Sequence, residues 1–142
     1  MRSTVAEKWH DRDFTILKVD FSNAFNRVSR QVLLEECQKT FPELVPWVHY
    51  CYGERSLLFH PSVKIRSCVG VQQGDPLGPL LFCIVLHLIV RKIQLHCPLL
   101  DLHKWYLDDG VICGPSHEVL HAYVQLRKHA DKTTRLIKKT SG

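Results

Sequence analysis

The sequence lacks several features that would place it quickly. Its six cysteines (Cys37, Cys51, Cys68, Cys83, Cys97, Cys113) never stand as C-x-x-C, and most lie in apolar runs where a reduced thiol packs as a small hydrophobe. That argues against a cysteine zinc site. The start, "MRSTVAEKWHDRD", has no apolar core of a secretory signal, so a reducing compartment, nucleus or cytoplasm, is expected. The longest apolar stretch, "LLFCIVLHLIV", covers only residues 80 to 90 before Arg91 and Lys92. A hydrocarbon core of ~30 Å needs about 20 such residues, so the stretch reads as a buried helix and no membrane partner is expected. With no internal repeat, low-complexity block or linker, residues 1–142 read as one domain.

What is present fits a globular chain with a real core: 45% of residues are hydrophobic. Nineteen Lys and Arg against 14 Asp and Glu give a net charge of +5, a modest excess compatible with a polyanionic partner. The excess concentrates in a basic C-terminal tail, about residues 125–142, with Arg127, Lys128, Lys132, Arg135, Lys138 and Lys139 against the single acid Asp131. Such a tail can grip phosphates, although a charged terminus is more often simply solvated.

Periodicity predicts the elements. "TILKVDF" (15–21) is β-rich, and "SNAFNRVSRQVLLEECQKT" carries Val28, Val32, Leu33 and Cys37 at helical spacing. Pro42 opens a second helix that Gly53 closes. Two extended runs around His60-Pro61 predict a hairpin, and Pro79 and Pro98 bracket a long apolar helix. "LLDLHKWYL" and "VICG" predict a second hairpin turning at Asp108, Asp109 and Gly110. Ser116 caps a last helix with Val119, Leu120, Tyr123 and Val124 along one face. Strand, helices, hairpin, helix, hairpin, helix is an α+β arrangement.

Two adjacent acids in "WYLDDG" exceed what a turn needs. If Asp20, at the end of the first strand, meets Asp108 and Asp109, three carboxylates converge, and bare carboxylates that close repel unless cations neutralise them. Hard oxygen ligands select Mg²⁺, and two such ions can drive an in-line phosphoryl displacement. In "QQGDPLGP", Gly74 and Gly78 allow close backbone approach to a ligand, and Gln73 can hydrogen-bond a nucleotide. Taken singly, the acid pair reads better as a plain turn and the loop as a lead into a core helix.

In order, "VDFSNAFNRV", "GVQQGDPLGPLLF" and "WYLDDG" resemble the three central palm motifs of reverse transcriptases, most of all those of retrotransposons lacking long terminal repeats. The resemblance covers about residues 15–114 and implies a polymerase palm-like antiparallel sheet packed on helices. It places metal ligands at Asp20, Asp108 and Asp109, with the Phe21 carbonyl completing a metal shell. It places Phe25 beneath the incoming sugar, Gln73 and Gly74 against incoming nucleotide and template, and Tyr106 near the primer end. The implied cofactors are two Mg²⁺ ions, or Mn²⁺ in their place; the implied partners are an RNA or DNA template with primer and deoxynucleoside triphosphates.

Two motif positions depart from the family, Gly78 where Ser is common and Asn26 where Asp is common, and neither is a metal ligand. Only 19 residues precede Asp20 and 33 follow Asp109, so fingers and thumb are expected to be largely absent, or supplied by another chain, with synthesis impaired. The alternative to a working RNA-directed DNA polymerase is a catalytically inactive retroelement remnant or nucleic-acid-binding fragment. A nucleotide cyclase would account for the acids but not for the "QGDPLGP" loop between them.

Overall fold

The alternation of inward Leu17 and Val19 with outward Ile16, Lys18 and Asp20 makes Phe14–Asp20 the first strand, β1. The computed structural model describes residues 6–8, 10 and 13–134. The helical pattern after β1 is divided. A single turn, α1 (Ala24–Arg27), ends where Val28 becomes extended, and α2 (Arg30–Thr40) restarts behind Ser29, whose hydroxyl accepts the Val32 N–H. The one helix expected there is therefore two, because Ser29 serves better as a cap than as an interior residue. A 3₁₀ turn (Pro42–Leu44) leads into α3 (Val45–Tyr52), which ends at Gly53 as expected.

Strands β2 (Ser56–His60) and β3 (Val63–Ser67) pair antiparallel as a separate two-stranded sheet. After the 68–77 loop comes α4 (Gly78–His96), then β4 (Leu102–Tyr106), β5 (Asp109–Pro115) and α5 (Ser116–Thr134). β5 lies between β1 and β4, antiparallel to both. The α+β expectation thus holds.

By length and apolar composition α4 could cross a membrane. Here its Leu81, Phe82, Val85, Leu86, Ile89 and Ile93 are buried in the core, each side chain contributing ~1.5–3 kcal/mol when fully removed from water. α5 packs against α4, β5 and β1. Its buried face is Val119, Ala122, Leu126 and Ala130, whereas Leu120 and Val124 are 62% and 51% exposed. The expected face was rotated because alanines at 122 and 130, weak hydrophobic signals, are the positions that let α5 approach its neighbours closely. With helices against one side of the sheet, the other side carries Ile16, Lys18, Asp20, Lys104, Tyr106 and Asp109, all exposed among the described residues, with Cys113 buried at its far end.

Candidate active site

The register brings the distant acids together. Asp20 is directly opposite Asp109, and Tyr106 is opposite Asp109 on the other side, so one cross-strand row reads Asp20, Asp109, Tyr106. Directly opposed residues share a face of the sheet, with Cβ atoms ~4.5–5.5 Å apart. All three are exposed, Tyr106 by 78%. Asp108 sits in the turn beside the row, and its carbonyl accepts the Phe21 N–H at 3.1 Å, tying the end of β1 to that turn.

The turn itself corrects the local reading. Its two central residues are Leu107 and Asp108, with Leu107 at φ 51, and Asp109 already belongs to β5. Gly110 serves another purpose: a Cβ there would lie 2.4 Å from the Trp105 ring. The glycine lets Trp105 cross the central strand and stack on buried Phe21 at 6.1 Å. This aromatic floor lies on the core face, behind the acid row.

Hard carboxylate oxygens on one open face are the donor set a divalent cation of the magnesium class takes. Among the described residues, however, no three His, Cys, Asp or Glu side chains already converge as a ligand set. The register and the oxygen donors of Asp20, Asp108 and Asp109 fit such a cation. Lys18 and Lys104 occupy the next row on the same open face, both opposite Val111.

Phe25 follows on α1, half-buried, its ring 4.9 Å from that of Phe82. The segment holding it is bonded to the glycine loop: Phe25 O accepts the Val71 N–H and Val28 O the Gly70 N–H, both at 2.8 Å. Gly70 has φ +77 and a Cβ there would meet the Asn26 backbone at 2.6 Å, so only glycine allows this approach. Gln73 and Gly74 form the exposed crest of the loop, Gly74 at φ +90.

Three residues with no assigned role in the motif reading hold that loop. Buried Arg30 donates to Gly70 O (2.9 Å), Ser67 O (2.9 Å) and Ser67 Oγ (2.8 Å) while its guanidinium lies 5.3 Å from the Tyr52 ring centroid. The Tyr52 hydroxyl donates to Asp75 Oδ2 and accepts the Gln72 N–H at 3.2 Å. Burial, with the Asp75 hydrogen bond second, pushes this hydroxyl up to about 12, so it remains a donor near neutrality. Burial lowers the Arg30 pKa against the attraction of Tyr52, but arginine stays charged in proteins. Asp75 stands in the quoted motif; Arg30 and Tyr52 carry no local sequence signal, since tertiary packing alone brings them there.

One further pattern, His117-Glu118-Val119-Leu120-His121, matches H-E-x-x-H on α5, which the cysteine argument against zinc leaves aside. Its glutamate points the wrong way for a general base: Glu118 is buried and accepts the Leu99 N–H at 3.1 Å. His103, on the core face of β4, is likewise no proton shuttle for the open face, burial lowering its pKa and keeping it neutral. The six cysteines are free thiols. Of the basic tail, Arg127 and Lys128 are exposed on α5, while Arg135, Lys138 and Lys139 lie outside the described residues.

Comparison with known proteins gives concordant results. The family model described as "Reverse transcriptase (RNA-dependent DNA polymerase)" matches residues 1–140. The chain is 31% identical over 112 residues to the "Retrotransposable element SLACS 132 kDa protein" of Trypanosoma brucei gambiense, covering 74% of this chain and 9% of that protein. Among solved structures it resembles a Candida albicans telomerase in complex with a telomeric RNA fragment (TM-score 0.58, 12% identity) over 99% of this chain and 29% of that one. It also resembles an apo telomerase from Candida tropicalis (TM-score 0.53, 15% identity) over 99% of this chain and 34% of that one. The chain therefore spans about a third or less of each of these proteins.

Proposed function

Because the chain belongs to the reverse transcriptase, or RNA-dependent DNA polymerase, family, we propose that its acid row serves template-directed DNA synthesis by two-metal nucleotidyl transfer. The observation that carries this reading is the register setting Asp20 opposite Asp109, with Asp108 in the adjoining turn. Asp20, Asp108 and Asp109, with the Phe21 carbonyl, would hold the divalent ions, Mg²⁺ or Mn²⁺. When bound, such a pair supplies activation of a primer 3′-hydroxyl and charge stabilisation around the α-phosphate.

The chain's own residues do the rest by placement. Tyr106 flanks the row where a primer end would lie, and the crest of Gln73 and Gly74 offers an amide and an exposed backbone to an incoming deoxynucleoside triphosphate and its template. Phe25 sits five residues after Asp20 on the segment bonded to that loop, the position proposed for sensing the sugar. Phosphoryl transfer depends on positioning, so the rate should follow how firmly these groups are held.

A second reading, nucleic-acid binding without chemistry, is favoured by one observation: exposed Lys18 and Lys104 flank Val111 on the same face of the sheet. Primer extension on an RNA template with Mg²⁺ separates the two. The catalytic reading expects measurable incorporation that falls roughly 100-fold or more in Asp108→Ala, a first ligand being worth more than the 10–100-fold typical of an outer partner. Equal incorporation by both proteins would rule out the acid row; binding of the template without incorporation by either would support the second reading.

A further inference from the structure

The glycine loop is fixed at two shoulders, and its crest is a single turn closed by the Asp75 N–H on the Gln72 carbonyl at 3.2 Å. On one side Gly70 and Val71 are bonded to Val28 and Phe25, and Arg30 grips the Gly70 carbonyl. On the other, Asp75 accepts the Leu77 N–H at 2.9 Å through Oδ1, and its carbonyl accepts the Gly78 N–H at 3.0 Å, joining the loop to the first turn of α4. Between them Gln72, Gln73 and Gly74 are exposed. A glycine-bearing crest has many conformations open to it, so something must select one.

One side-chain atom braces both ends of that turn. Tyr52 Oη donates to Asp75 Oδ2 and accepts the Gln72 N–H, while the ring below it lies against the Arg30 guanidinium. Tyr52 is 3% exposed and Arg30 7%, and buried polar groups are costly to leave unmatched. Three elements contribute: Arg30 from α2, Tyr52 from α3, and Asp75 from the loop before α4. Each partner satisfies a group that the others leave open, so the set behaves as one unit.

We infer that Arg30, Tyr52 and Asp75 are positioning residues that hold the loop crest in the shape that receives an incoming deoxynucleoside triphosphate. This rests on the polymerase reading of Gln73 and Gly74. None of the three touches the nucleotide; they act through the Gln72, Leu77 and Gly78 amides. Loss of the Tyr52 hydroxyl leaves Asp75 Oδ2 and the Gln72 N–H without that partner and loosens the crest, which then keeps only the Asp75 N–H bond to the Gln72 carbonyl. Ordering it again on ligand binding then costs affinity, not turnover.

The test uses the full 142-residue chain and its Tyr52→Phe, Asp75→Asn and double variants. Tyr52→Phe keeps the ring against Arg30, and Asp75→Asn keeps an acceptor for Leu77. Binding of a fluorescent deoxynucleoside triphosphate with Mg²⁺ is titrated, and KM and kcat are measured wherever primer extension is detectable. Each single variant should weaken binding about 5- to 10-fold and the double no more than either, since the two share one interaction. KM should rise in step with the lost affinity, while kcat stays within about twofold of the parent's.

Affinity unchanged in a folded Tyr52→Phe, or a fall in kcat with KM unmoved, would overturn the inference. So would an intact chain that binds no deoxynucleotide, or variants that both fail to fold, which would make the set a fold element only. An intact chain that binds the nucleotide, loses affinity in the variants and yet extends no primer would sink the polymerase reading while leaving the positioning role standing.

Discussion

At position 110 a hydrogen stands where any other residue would place a carbon against the Trp105 ring, at 2.4 Å. Trp105 cannot retreat freely because its ring also stacks on buried Phe21. Gly110→Ala should therefore cost ~1–3 kcal/mol as an overpacked site, read as a lowered denaturation midpoint at unchanged m-value. A midpoint equal to the parent's would mean that the ring is not held there. The same residue marks what the motif made legible and what it did not. The Asp-Asp-Gly string announces a turn and a pair of acids, and both exist; which residues form the turn depends on where the Trp105 ring must go, a tertiary fact. Arg30 and Tyr52 were illegible for a like reason: a buried arginine and a tyrosine 22 positions apart have no periodicity or spacing to betray them.

Among the elements, strands and helix starts were the readable parts. Pro42, Gly53, Ser116 and Pro79 stand at or next to helix boundaries as turn and cap chemistry requires. Interior punctuation was less so, and Ser29 divides a stretch whose apolar spacing continues through it. The buried face of α5 is set by Ala122 and Ala130, not by the more apolar Leu120 and Val124. A pair of substitutions decides the matter at this scale. Ala122→Asp buries an unpaired charge at a fully buried position and should cost several kcal/mol or prevent folding. Leu120→Asp, on the exposed face, should stay within about 0.5 kcal/mol. Thermal denaturation of the two gives the comparison, and the reverse order would place the helix as the apolar count alone suggests.

Over the whole molecule, the sheet divides two environments. Its inner face joins the helices through Leu17, Val19 and Ile112, while its open face presents the acid row and, one row away, Lys18 and Lys104. Two cations beside an acid row suit a strand whose phosphates lie over the lysines and whose end reaches the acids. Lys18→Ala with Lys104→Ala should weaken binding of a primed template and flatten the dependence of log affinity on log salt by about two counterions. An unchanged slope would remove these lysines from the interface.

The account turns on whether acids 88 and 89 positions apart in sequence, Asp20 with Asp108 and Asp109, act as one ligand set, and Mn²⁺ binding followed by electron paramagnetic resonance measures that without requiring turnover. Asp20→Asn and Asp109→Asn should each weaken Mn²⁺ affinity by about tenfold or more, since opposed positions on neighbouring strands share the ion. If Asp20→Asn binds Mn²⁺ as tightly as the parent while Asp109→Asn does not, the first strand contributes nothing to the site and the account is wrong.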